Sequence, residues 1–179
     1  MPQTDLSAKQ ILMVVAPENF RDEELFEPQA VFAQAGAVVV VASTRTGRAR
    51  GSQGGTVEAT LSLAEVHAGD YDAIVVVGGN GAPAHLWGDE TLQALLREAA
   101  AAGKVLGAIC LAGVALARAG LLAGRRATVY MTRESLLEYQ QAGVRANRDP
   151  IVIDDHFVTA IGPHVAREFG EAIAAQLAS

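Results

Sequence analysis

The 179-residue chain carries 14 Lys and Arg against 20 Asp and Glu, a net charge of -6, with half its residues hydrophobic and 19% charged. It is too apolar for a disordered chain, and its basic residues form no cluster large enough to neutralise phosphates, so no nucleic-acid partner is expected. No apolar run reaches the roughly 18 residues that span a bilayer, and the start MPQTDLSAKQ lacks the basic and apolar regions of a secretory signal.

A single cysteine, Cys110, cannot form an intrachain disulfide, which suits a reducing compartment. The expectation is a cytoplasmic protein without a membrane partner, one domain over residues 1–179, with a flexible terminus at residues 1–9.

Residues 11–16 (ILMVVA) form a short apolar run, and residues 23–35 repeat Leu25, Val31, Phe32 and Ala35 near helical spacing before Gly36 ends the helix. Residues 37–42 (AVVVVA) read as a strand buried on both faces. The Gly-rich residues 47–55 are a turn or hairpin leading to a weak strand at residues 56–59. Residues 73–77 (AIVVV) are the clearest strand, stopped by GGNG at 78–81, after which Asp89 or Thr91 can cap a helix to Ala102.

Residues 105–109 form the next strand, followed by Cys110 and a helix to Ala119. A strand is expected over residues 127–130, a helix over 133–141, a hairpin over 151–161 turning at Asp154-Asp155, and a last helix over 165–177. Short apolar strands alternating with helices predict an α/β fold, a mostly parallel sheet with helices on both faces. Ligands of such sheets bind beyond the carboxyl ends of the strands, so residues 17–24, 78–85 and 110–113 become candidate loops.

Cys110 ends a strand and opens a helix among the small residues Ala108, Ala112 and Gly113. A side chain on such a sharp turn points away from the sheet, and free N–H groups behind it would lower a cysteine pKa from about 8.5 into a reactive range. Free cysteine also packs often as a small buried hydrophobe, and the pattern alone leaves both readings open.

The stretches AIVVVGGNGAP, GAICLAGVALARAGLLAGRRAT, YMTRESLLEYQQAGV and IVIDDHFVTAIGP…FGEAIAAQL together resemble the ThiJ/PfpI family, which includes the parkinsonism-associated deglycases. The resemblance runs from Ile11 to Leu177. It implies a flavodoxin-like three-layer sandwich with a cysteine nucleophile elbow, usually assembled as a homodimer, with no cofactor. Cys110 matches the family's reactive cysteine. The pattern Glu-x-x-x-Pro of the first helix falls on Glu24 and Pro28, so Glu24 matches its glutamate. Gly78 and Gly79 match the glycine pair whose backbone faces the cysteine, with Gly79 completing an oxyanion site. Leu111 and Tyr130 take positions beside the nucleophile, and His164 is a candidate for the pocket wall.

This chain also departs from the family's branches. The peptidase-like branch has Cys-His at the elbow, where this chain has Cys110-Leu111, and a glutamate near His85. The deglycase branch has Cys-Ala-Gly-Pro and a histidine where Tyr130 stands. Hydratases of isonitriles resemble a loop Asp and a Cys-Thr elbow, against Glu24 and Leu111 here. His67, His85, His156 and His164 have no paired spacing, and no metal is expected. Trp87 is read as covering the glycine loop or a subunit contact.

The leading expectation is therefore a cofactor-independent glyoxalase or deglycase acting on small 2-oxoaldehydes, such as methylglyoxal, or on their glycated adducts. The alternative is a non-enzymatic stress protein whose Cys110 is oxidised to sulfinate, or which acts as a chaperone; peptidase and isonitrile hydratase rank below both.

Overall fold

The apolar runs assemble into the centre of one sheet. In the computed structural model, which describes residues 4–179, β1 (Gln10–Val14) lies between β3 (Val38–Ser43) and β7 (Ala73–Val76), with Met13 facing Val41 on one side and Val75 on the other. Beyond β7 come β8 (Val105–Ile109), β12 (Phe157–Ala160) and β11 (Ile151–Asp154); beyond β3 comes the short β6 (Leu61–Ser62). The order is β11-β12-β8-β7-β1-β3-β6, and every pairing is parallel except the β11–β12 hairpin at the edge. β7 and β8 are buried at every position, which explains their unbroken apolar sequences.

Helices α1 (Asp22–Gln34) and α6 (Ala166–Ala178) pack together, while α3 (Glu90–Ala101) and α4 (Gly113–Arg118) pack together and onto β8. The architecture is flavodoxin-like, a mostly parallel sheet with helices around it. Asp89 caps α3, accepting a hydrogen bond from the Leu92 N–H at 2.8 Å. Thr132 caps α5 (Arg133–Gln141). Gly170 of α6 lies against Pro28 of α1, so closely that a Cβ there would be 2.9 Å from the Pro28 Cα.

Several local expectations are corrected. The hairpin expected at residues 47–55 and its weak strand are present as β4 (Gly47–Gly51) and β5 (Thr56–Ala59), paired antiparallel, but β4 also pairs parallel with β2 (Glu18–Phe20), which makes a second small sheet that was not expected. The glycine loop continues into a short helix, α2 (Gly81–His85). No full strand covers residues 127–130. Only β9 (Arg126–Ala127) pairs, with β10 (Arg145–Ala146), because the next N–H groups go elsewhere: Thr128 to the Thr159 hydroxyl and Tyr130 to the Cys110 carbonyl.

The flexible terminus is corrected for residues 4–9. Leu6 is fully buried, and its N–H donates to the Ala35 carbonyl at 2.7 Å. Residues 1–3 lie outside the described residues. Among the described residues no helix is long and apolar enough to cross a membrane.

Candidate active site

The chain leaves β1 toward β3 on one side, and β7 is laid down on the other, so a crevice opens beyond the carboxyl ends of β1, β7 and β8. The three loops singled out from the sequence converge there. A pocket of about 400 Å³ is lined by Arg21, Ser52, Gly79, Asn80, Cys110, Leu111, Tyr130 and Pro163.

Cys110 sits at the junction of β8 and a single 3₁₀ turn, Cys110–Ala112, that leads into α4. Its φ of 61° lies in the left-handed region, costly for a residue with a Cβ, and persists because the surroundings hold it. Its carbonyl accepts the Tyr130 N–H at 3.2 Å. The next carbonyl, that of Leu111, accepts the indole N–H of Trp87 at 2.7 Å. Gln93 in turn donates to the Trp87 carbonyl, and the Arg118 guanidinium lies 5.7 Å from the Trp87 ring centre, held by Glu138. Trp87 is thus a brace for the elbow, a role that the sequence reading missed.

Glu24 reaches the sulfur from the first turn of α1. It is fully buried, and neither carboxyl oxygen makes a hydrogen bond of standard geometry to another side chain or backbone group, although the Cys110 thiol and the Gly78 backbone adjoin it. Burial pushes its carboxyl from 4.5 up to about 8, against the Cys110 thiol and the Arg21 charge, with Glu23 adding to the rise. Near neutral pH Glu24 is therefore mainly a protonated donor. The run Asp22-Glu23-Glu24 is not a solvated acidic face. Asp22 is also buried, and its carboxylate accepts the N–H groups of Gln53 at 3.0 Å and Gly55 at 2.7 Å, tying β4–β5 to the start of α1.

The expected depression of the cysteine pKa is corrected. Burial, and then the negative charge of Glu24 when ionised, push the Cys110 thiol up; the N–H groups of Leu111 and Gly79 pull the other way and are outweighed. The two groups cannot both be charged cheaply, so they titrate as a pair, and a thiolate requires Glu24 to hold the proton.

The glycines have separate duties. A Cβ on Gly78 would lie 2.8 Å from Glu24 Oε1, so its bare Cα lets the acid and the thiol meet. Gly79, at φ 106°, packs its Cα against the backbone of residues 19–21. Gly79 and Leu111 line the pocket, and Gly78 lies behind it. Tyr130 is 49% exposed and lines the pocket, so it is not a packed core aromatic. His164 is corrected: it is exposed and Pro163 takes the wall position. The other lining residues, Arg21, Ser52 and Asn80, were not singled out. Their only signal was position, in or beside the loops that follow strand ends.

A family model described as the DJ-1/PfpI family matches residues 9–176. An uncharacterised protein from Methanocaldococcus jannaschii is 44% identical over 160 residues, covering 89% of this chain and 78% of that one. A deglycase from Pyrococcus abyssi is 30% identical over 85% of this chain and 90% of its own, and a glutathione-independent glyoxalase from Caenorhabditis elegans is 27% identical over 90% and 84%. Among solved structures, a ThiJ/PfpI domain protein from Brachyspira murdochii superposes with a TM-score of 0.89 at 32% identity, covering 94% of this chain and 95% of that one. With a strained elbow cysteine at the end of its fifth sheet strand in chain order, a buried glutamate beside it and this match over nearly its whole length, the chain belongs to the DJ-1/PfpI family.

Proposed function

We propose that the protein converts small 2-oxoaldehydes, or their adducts with amines and thiols, to 2-hydroxy acids, with Cys110 as nucleophile and Glu24 as general acid and base. The observation that carries this reading is the fully buried Glu24 carboxyl, raised to about 8, against a cysteine that opens onto a pocket. The names of the deglycase and glyoxalase relatives support the same chemistry.

In the singly ionised pair the proton resides on Glu24 while the Cys110 sulfur attacks the aldehyde carbon. A C–S bond forms, the carbonyl electron pair moves to oxygen, and N–H groups of Gly79 and Leu111 stabilise that oxyanion. Glu24 protonates it to give a hemithioacetal. The Glu24 carboxylate then removes the hydrogen from this carbon and returns it to the neighbouring one, through an enediol. The first carbon is oxidised to a thioester as the second is reduced to an alcohol. Water cleaves the thioester, giving a 2-hydroxy acid and free Cys110. The sum is R–CO–CHO plus water to R–CHOH–COOH, with no external oxidant or reductant.

The homodimeric assembly implied by the family resemblance belongs to the same reading, as does the cytoplasmic location that a single cysteine suits. Lactate formed from methylglyoxal tests it, measured beside Cys110→Ser and Glu24→Gln. Production abolished in the first and lowered about a hundredfold or more in the second is expected; wild-type production no greater than that of the variants rejects the reading.

A second reading has its own support. The Leu111 and Gly79 N–H groups and a protonated Glu24 are suited to holding a Cys110 sulfinate. Peroxide titration followed by intact mass tests it. Oxidation of Cys110 no faster than that of free cysteine would sink it.

A further inference from the structure

Of the eight residues that line the pocket, Arg21 alone carries a fixed positive charge; Ser52, Asn80 and Tyr130 are neutral and polar, Leu111 and Pro163 apolar. Methylglyoxal has no charge to offer it and is small for a space of about 400 Å³, a volume within the roughly 300–1,000 Å³ of small-molecule sites.

Arg21 is fixed at both ends. Its backbone N–H donates to the Gly78 carbonyl at 3.0 Å, and its own carbonyl accepts the Glu24 N–H at 3.1 Å, so its Cα is tied to both glycine loop and catalytic helix. At the tip, Nε donates to Glu23 Oε2 at 2.7 Å. That contact occupies one edge of the guanidinium. Among the described residues the guanidinium makes its one side-chain hydrogen bond through Nε, leaving Nη1 and Nη2, which carry four of its five N–H donors, for a ligand. The Arg21 and Glu23 side chains are 37% and 33% exposed, so their bond is of the weak, solvent-screened kind and does not cancel the charge offered to a ligand. The neighbouring Asp22 is committed to Gln53 and Gly55.

We propose that Arg21 binds an oxyanionic tail, a carboxylate or phosphate, on the substrate, and that the preferred substrates are anionic 2-oxoaldehydes longer than methylglyoxal. This rests on the aldehyde chemistry proposed above for Cys110 and Glu24. The planar guanidinium matches the two oxygens of such a group, and binding there leaves the carbonyl end of the molecule facing Cys110. The neutral polar wall then serves the intervening atoms.

The test compares turnover of 4,5-dioxopentanoate, a 2-oxoaldehyde with a terminal carboxylate, and of its methyl ester, in the wild type, Arg21→Gln and Arg21→Lys. The expected kcat/KM ratio of acid to ester is about tenfold or more in the wild type, near one in Arg21→Gln and intermediate in Arg21→Lys. A ratio untouched by Arg21→Gln overturns the proposal. If no aldehyde is turned over, the chemical reading fails and a binding measurement decides the anion site by itself. Calorimetry on the Cys110→Ser protein with 4-oxopentanoate, its methyl ester and inorganic phosphate is expected to show tighter binding of an anion, lost in Cys110→Ser/Arg21→Gln. The keto acid and phosphate arms tell which oxyanion is preferred. Affinities for both that do not depend on Arg21 overturn the proposal.

Discussion

Glu24 and Cys110 meet across the bare Cα of Gly78, where an added methyl group would lie 2.8 Å from the Glu24 Oε1, 2.9 Å from the Cys110 Cβ and 2.5 Å from the Ile109 carbonyl oxygen. None of these is a flexible surface atom that can step aside. Gly78→Ala is expected to cost about 1–3 kcal/mol through overpacking and to separate the acid from the thiol. Urea unfolding reads the first effect, and the loss of lactate production at saturating methylglyoxal reads the second. A variant with wild-type stability and turnover would contradict the proposed contact.

Stability should fall as pH rises through the neutral range. Glu24 has its ordinary 4.5 when the chain is unfolded and about 8 when folded, so between these values the folded state holds a proton that the unfolded state has lost. This contribution is fully present below 4.5, declines by at most about 1.4 kcal/mol per pH unit, and is gone above about 8. Glu24→Gln removes the decline, leaving a flatter profile. Urea midpoints of both proteins between about pH 5 and about pH 8 check this.

Catalysis should run the other way. The doubly protonated pair has no nucleophile, and its first proton leaves near the Glu24 value of about 8. The kcat/KM for methylglyoxal is therefore expected to rise tenfold per pH unit below that value and then level off. A profile flat from pH 6 upward, at roughly the plateau rate, would mean that burial does not hold the proton.

Trp87→Phe keeps the ring and deletes the N–H that satisfies the Leu111 carbonyl. The orphaned buried acceptor is expected to cost about 1–3 kcal/mol. Because that carbonyl belongs to the residue after Cys110, the proposed nucleophile, kcat should drop more than the substrate's KM rises. Thermal unfolding and steady-state kinetics separate the two effects.

Asp22→Ala removes the acceptor of two backbone N–H groups, those of Gln53 and Gly55. A loss of about 2 kcal/mol or more is expected, since hydrogen bonds to a charged group exceed neutral ones. Faster hydrogen exchange at residues 51–55 in the variant would locate the loosening.

The central strands were legible because burial on both faces leaves unbroken apolar runs such as AIVVV. Of the small sheet, the weak strand at residues 56–59 and a hairpin before it were legible, but strand β4 was not: its sequence, GRARG, has no apolar run, and it is set by its pairings and by Asp22, whose partners are 31 and 33 residues away. Cys110 was visible from its place between a strand and a helix, but its neighbour Glu24 was not, because three consecutive acids look like a solvated turn. Only the family resemblance singled it out. Arg21 carried no signal beyond its position in the candidate loop at residues 17–24. What makes it prominent is the contrast with seven uncharged side chains and backbones contributed by distant loops.

Trp87 is the only tryptophan of the chain, and its indole N–H is bonded to the turn that carries Cys110. Its indole emission, excited apart from that of the three tyrosines, therefore reports on the turn at Cys110. An adduct or oxidation at Cys110 that shifts the Leu111 carbonyl alters the indole's hydrogen bond, and with it the emission, so the state of the thiol can be followed in real time in the unlabelled protein.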